Sequence, residues 1–259
     1  MLKIRVIPTL LWKNFGLVKG VRFDSWRRVG PVLPAIQVYN TREVDELILV
    51  DILAGRENAE PDCESVDEFS SQCFVPLTVG GGVTSIAQIQ ALLRAGADKI
   101  SINSATYADP ALVEAAARRF GAQCIVASID ARRQDDNGYR CYSHAGTVAT
   151  GRRPDQWARE LEQRGAGEIL ITSIDQDGTM EGYDLELIQS VSRAVNLPVI
   201  ASGGAGNYEH MRLAVQEAGA SAVAAASIFH FTEQTPREAK AYLAAAGLPV
   251  RSGLAATGA

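Results

Sequence analysis

One segment of this chain is written twice. Glu46-Leu-Ile-Leu-Val-Asp51 has its counterpart 122 positions later in Glu168-Ile-Leu-Ile-Thr-Ser173, and Gly81 stands the same distance before Gly203. In each copy an apolar run closes on glycines: Pro76-Leu-Thr-Val-Gly-Gly-Gly82 and Pro198-Val-Ile-Ala-Ser-Gly-Gly-Ala-Gly206. A helical stretch follows, then a short apolar run ending in a hydroxyl, Lys99-Ile-Ser-Ile-Asn-Ser104 or Ala222 to Ser227. Glycine has no Cβ, so its backbone N–H can approach an anion closely. Strand, glycine turn, helix, strand and small-residue turn is how a (β/α)8 barrel holds a phosphate at its last two strands. The chain therefore reads as α/β, a (β/α)8 TIM barrel of duplicated half-barrels with a phosphate turn in each half.

The length of 259 residues suits one such barrel, expected over residues 1–251 with a loose, small-residue tail at 252–259. Apolar residues make up 47%, enough for a large core, and the net charge is −5. No Lys/Arg run or aromatic ladder marks a nucleic-acid footprint. No apolar run approaches the roughly 20 residues of a membrane span. The start, Met-Leu-Lys-Ile-Arg-Val-Ile-Pro, interrupts its apolar run with charges and does not read as a signal peptide. Cys63, Cys73, Cys124 and Cys141 form no CxxC pair, and Cys124 falls on a predicted strand. They read as reduced packing cysteines of a cytoplasmic protein.

Strand one is expected over Ile4–Leu11, followed by a long loop, Trp12–Phe23, that carries Lys19. Long barrel loops serve as lids or substrate contacts. Lys19 is then either a solvated lysine or an anion contact on a mobile loop. Strand two spans Leu47–Ile52, and loop two, Ala54–Asp62, looks polar and irregular. Strand five, Gln123–Asp130, is almost wholly apolar, as a strand buried on both faces should be. Residues 131–151 read as an inserted hairpin with Asn137-Gly138 at its turn. Eight such strands alternating with helices favour a closed barrel over an open sheet.

Two phosphate turns at one barrel mouth point to a ligand with an anion at each end. Backbone N–H groups near Gly82, Gly203 and Gly204 would bind it, helped by the Ser104 and Ser227 hydroxyls. Between the turns fall Asp51, Asn103, Asp130, Thr172, Asp177 and Ser202, at strand C-terminal ends or in adjoining loops. Asp130 is the general acid/base candidate, because a central, partly dehydrated carboxyl has a raised pKa. His144, His210 and His230 show no metal-ligand spacing, so no metal or cofactor is expected. Arg5, Glu46, Lys99 and Glu168 fall at or just before the first residues of strands one, two, four and six. They should form a ring of two cations and two anions at the opposite rim, either a salt-bridged bottom or a polar gate to the barrel axis.

Ile-Pro-x-Leu at the start, Lys19-Gly20, Asp-Glu-Leu at 45–47, Pro-Leu-Thr-Val-Gly-Gly-Gly, Ala-Gly-Ala-Asp-Lys, Ser-Ile-Asn-Ser, Asp-Gly-Thr and Ile-Ala-Ser-Gly-Gly-Ala-Gly stand in register with one family. Over residues 1–251 the chain resembles the cyclase subunit of imidazole glycerol phosphate synthase. The resemblance implies a lyase or cyclase subunit of a glutamine amidotransferase. A separate glutaminase would dock at the barrel bottom, and its ammonia would cross the core to a doubly phosphorylated ribulose-aminoimidazole at the top. The products would be imidazole glycerol phosphate, for histidine synthesis, and an aminoimidazole carboxamide ribotide. By resemblance, Arg5, Glu46, Lys99 and Glu168 are the gate, Lys19 the mobile-loop lysine and Asp130 one of two catalytic aspartates. Gly82, Asn103, Ser104, Asp177, Gly178, Gly203, Gly204, Ala226 and Ser227 match phosphate and substrate contacts.

The second catalytic aspartate belongs where this chain has Leu11: the family's Cys-Leu-Asp-Val is Thr9-Leu-Leu-Trp12 here. A leucine exchanges no proton, and losing one acid/base partner costs roughly 10²–10⁴-fold in rate. Loop two, Arg56-Glu-Asn-Ala-Glu-Pro61, departs as well. Leucine at this place resembles a second branch. Its members work with a glutaminase and an ATP-using protein to turn an acetamido sugar into an acetamidino sugar for surface polysaccharide. A working histidine-pathway cyclase and a scaffold that only activates a glutaminase are the alternatives. The related aldose-amino isomerase also uses an aspartate at the end of strand one, and it needs no ammonia gate.

Overall fold

The apolar runs lie side by side, all parallel, and close on themselves. A computed structural model describes residues 3–13, 16–57, 59–136 and 138–251. In chain order it gives β1 (Arg5–Lys13), β2 (Gly16–Val21), β3 (Asp24–Gly30), α1 (Val32–Thr41), β4 (Leu47–Asp51), α2 (Ala54–Glu57), α3 (Cys63–Ser71), β5 (Leu77–Gly80) and α4 (Ile86–Arg94). Then come β6 (Lys99–Ile102), α5 (Ser104–Ala108), α6 (Ala111–Phe120), β7 (Ile125–Arg133), β8 (Tyr139–Ser143), β9 (Val148–Ala149), α7 (Pro154–Gln163) and β10 (Glu168–Ser173). The chain ends through α8 (Leu185–Ser192), β11 (Val199–Ser202), α9 (Tyr208–Gln216), β12 (Ala222–Ala225), α10 (Ser227–Phe231) and α11 (Pro236–Ala245).

Neighbouring strands run β10-β11-β12-β1-β4-β5-β6-β7, and β7 pairs β10 in parallel from Val126↔Glu168 to Ala131↔Ser173. This is a closed (β/α)8 barrel. The duplication survives folding: β5 and β11, like α4 and α9, start and end 122 positions apart. Side chains alternate across each strand. On β1, Val6 and Leu10 join the large apolar layer under the helices, whereas Ile7 joins Ile48, Val126, Leu170, Ile200, Ala222 and Ala224 in a smaller cluster filling the barrel. Helix starts are conventional. Asp62, Ser85, Asp184 and Asn207 each accept a backbone N–H of the helix they open, and Thr235–Glu238 form a capping box.

Three expectations need correction. The long first loop is a β-hairpin: β1 runs on to Lys13, and β2 folds back on it with Leu11 opposite Val18, then pairs with β3. Loop two is not wholly irregular, because Arg56 and Glu57 N–H both bond to Leu53 O and wind α2. Cys124 lies in a 3₁₀ turn before β7; the cysteine buried in a strand is Cys141 on β8. The 131–151 excursion does contain a hairpin, β7–β8, but Asn137 and the tail 252–259 fall outside the described residues.

The β2–β3 hairpin lies over the barrel mouth. Arg22 N–H donates to Asp177 O at 2.7 Å. A Cβ on Gly178 would sit 2.2 Å from Gly20 O, and one on Gly20 would sit 2.0 Å from Asp24 O. A methyl group at Gly20 must therefore spread the hairpin. Overpacking of this kind costs about 1–3 kcal/mol. Gly20→Ala should raise the rate of proteolytic cleavage between residues 16 and 30 about tenfold, while Tm falls by no more than about 5 °C because the barrel itself is untouched. Limited proteolysis beside a thermal melt checks both.

Candidate functional site

All eight barrel strands point their C-terminal ends at one cavity of about 610 Å³. The two glycine turns stand on its rim. Gly81 and Gly82 have φ of 110° and 68°, Gly203 and Gly204 of 91° and 107°. A Cβ would lie 2.2 Å from Asp51 O at Gly81 and 2.0 Å from Gly182 O at Gly204. Both left-handed backbone and close approach thus demand glycine here. Gly178, Ser202, Ala226 and Ser227 line the cavity with Gly203, Ser227 following β12, which pairs with β11; Ser104 lines it with Gly82 and follows β6, which pairs with β5.

Asp130 ends the barrel segment of β7 and is 8% exposed. Burial and the nearby charge of Asp177 push its carboxyl up to about 7, against the pull of the Asn103 hydrogen bond. That bond runs from Asn103 Nδ2 to Asp130 Oδ2 at 2.7 Å, while Asn103 Oδ1 is buried without a partner among the described residues. Lys19 is neither solvated nor on an irregular loop. It is 3% exposed on β2, and its Nζ donates to Asp177 at 2.6 and 2.8 Å. Burial raises the Asp177 carboxyl against the pull of this ammonium. Asp51 lines the cavity, but its Oδ1 already accepts Leu53 and Ala54 N–H at 2.8 and 3.0 Å. It shapes the turn into α2. Thr172 reaches the lining from β10.

Leu11 also lines the cavity, between Val18 of the hairpin and Val50 of β4. It presents a hydrocarbon surface on the strand end next to β4. Sequence reading missed the aromatic wall of Phe23 and Trp26 and the contribution of His144. His144 N–H donates to Ser104 Oγ at 2.8 Å. The wall stands on the hairpin, Phe23 at the turn between β2 and β3 and Trp26 on β3. His210 and His230 lie outside the lining. His210 Nδ1 accepts Gly206 N–H at 3.2 Å, and His230, its pKa lowered to about 4 by burial, sits 3.4 Å from the Tyr39 hydroxyl. No group of three His, Cys, Asp or Glu among the described residues is arranged to hold a metal.

At the other rim the four charges meet. Arg5 Nη1 lies 2.9 Å from Glu46 Oε1 and 2.9 Å from Glu168 Oε1. Lys99 Nζ lies 3.0 Å from Glu46 Oε2 and 3.2 Å from Glu168 Oε1. Each cation bridges both anions, so the ring alternates in sign and is neutral. A second buried pair supports it: Lys240 Nζ bonds Asp45 at 3.3 Å, and Asp45 Oδ2 accepts Val6 N–H at 2.9 Å. Between ring and mouth lies the apolar cluster, whose Ile48, Leu170 and Ala224 form the cavity floor.

Residues 5–235 match the family described as "Histidine biosynthesis protein". Among curated proteins, "Imidazole glycerol phosphate synthase subunit HisF" of Hyphomonas neptunium is 52% identical over 252 residues, which cover 97% of this chain and 100% of that protein.

The Asp130 carboxyl gives a stability signature with a definite sign. Its pKa rises from 3.8 to about 7 on folding, so between those values the folded state binds the extra proton. Its contribution is intact below about pH 4 and is lost as pH climbs toward 7. Asp130→Asn removes the titration. The variant should gain stability relative to wild type as pH rises from 5 to 8, by at most about 3 kcal/mol. Urea melts at the two pH values measure it; a difference independent of pH refutes the assignment.

Proposed function

Because the chain belongs to the histidine biosynthesis protein family, as a HisF-type cyclase subunit of imidazole glycerol phosphate synthase, we propose that its barrel receives ammonia at the charged rim and delivers it to a doubly anionic ligand at the mouth. The observation that carries this reading is the alignment of three layers on one axis: a neutral four-charge ring, an apolar floor and twin glycine turns. Ammonium would lose its hydration in the apolar layer without a counter-ion, at a cost of several kcal/mol or more, whereas neutral ammonia passes. The ring excludes bulk water and cations until Lys99 or Arg5 shifts. A glutaminase docked on that rim is the source of the ammonia.

In this reading Asp130 is the acid/base group, poised by its raised pKa and oriented by Asn103. Lys19 and Asp177 place charge beside it. Gly82, Ser104, Gly203, Gly204 and Ser227 hold the ligand's anions, with Gly178, Ala226, Thr172, Ser202 and Asp51 shaping the space between. Leu11 supplies no second proton-transfer group. This supports the specialised branch, in which the barrel keeps its ammonia path, loses cyclase efficiency, and serves amidination of an acetamido sugar for surface polysaccharide with an ATP-using partner. The identity to a HisF subunit and the intact Asp130–Asn103 pair favour the second reading, a histidine-pathway cyclase.

Turnover of the ribulose-aminoimidazole substrate with ammonium salt separates the two. Under the first reading wild type is slow and Leu11→Asp gains about 10²-fold or more. Wild-type turnover at a useful rate, with rescue of a histidine auxotroph, establishes the second. For the gate, Lys99→Ala should cut glutamine-dependent product formation at least tenfold and leave the ammonium-fed rate within about threefold. Equal losses by both routes would remove the gate.

A further inference from the structure

Loop two, where the sequence departs from its family, lies directly on the Gly81–Gly82 turn. A Cβ on Gly82 would stand 2.6 Å from Ala59 O and 2.8 Å from Ala54 Cβ, and a Cβ on Gly55 would stand 3.9 Å from Gly82 N. The chain thus passes Gly82 with a glycine, and the next residue is Arg56. Arg56 is exposed, lines the cavity, and donates through Nη2 to Ala145 O at 3.0 Å. Ala145 follows His144, whose N–H holds Ser104 Oγ. Arg56 therefore reaches from the Gly82 side of the rim to the Ser104 side.

The charges on the lining are unevenly committed. The lining holds one lysine, Lys19, and one arginine, Arg56, beside the imidazole of His144, and Lys19 is bound to Asp177. Among the described residues the partner of Arg56 is a neutral carbonyl, not a carboxylate. The rim carboxylates from the same loop region are Asp51, engaged by Leu53 and Ala54 N–H, and Glu60. A guanidinium presents a planar fork suited to two oxygens of one anion, and exchanging a carbonyl for a phosphate strengthens its hydrogen bonds.

We infer that Arg56 is a specificity-determining residue of this site: it grips the ligand's phosphate at the Gly82–Ser104 end, making that end the tighter of two otherwise matched turns. On the Gly203–Gly204 side the lining cation is Lys19, and Asp177, which packs against Gly203, already holds it. This inference rests on the reading of both glycine turns as anion sites.

Titration of ¹⁵N-labelled protein with inorganic phosphate reads the turns separately, through the amide signals of Gly81 and Gly82 and of Gly203 and Gly204. Wild type should saturate at both, at lower phosphate for Gly82. Arg56→Gln should raise the half-saturation at Gly82 at least tenfold and leave Gly203 within twofold. Arg118→Gln, which removes the same charge from an exposed helix position, should change neither. An unchanged Gly82 response in Arg56→Gln, an equal loss at both turns, or the same loss in Arg118→Gln overturns the inference while the anion reading stands. Wild-type protein that responds at neither turn overturns the anion reading, and the inference with it.

Discussion

The pairing of β7 with β10 is the constraint on which everything else depends. It joins the first two strands of the second half and completes the ring of eight, over six residue pairs from Val126↔Glu168 to Ala131↔Ser173. With it in place every strand start faces one rim and every strand end the other. A parallel barrel cannot mix the two. Charges written at strand starts, far apart in sequence, become neighbours; so do glycines written at strand ends.

The two rims solve opposite electrostatic problems. At the bottom, two cations and two anions satisfy one another completely, and removing one would strand buried charge. At the mouth the pairing is incomplete: Asn103 Oδ1 lacks a partner among the described residues, burial pushes the Asp130 carboxyl up to about 7, and Arg56 rests on a neutral carbonyl. One end has its charges matched pair for pair, and the other keeps bonding capacity in hand.

Much of this was legible in the residues because it follows from periodicity. The 122-residue offset survives as the equal spacing of β5 and β11, and the charge ring follows from strand starts alone. What was not legible depends on contacts between distant segments. Lys19 reads as a loop lysine until Gly20 is seen packed on Gly178, which buries β2 against the mouth and brings the ammonium to Asp177. Phe23 and Trp26 join the lining only through that same fold-back. Arg56 looks like one more charge in a polar loop, since nothing local records that Gly82 lies beneath it.

The Lys19–Asp177 pair also changes what binding means at this mouth. An anion that draws Lys19 toward itself must first take it from Asp177, so association is an exchange of partners and not the filling of a space. The carboxylate released in the exchange lies close enough to Asp130 to raise its pKa. Ligand affinity and proton affinity are then two faces of one equilibrium: each anion that recruits the lysine makes the neighbouring carboxyl hold its proton harder.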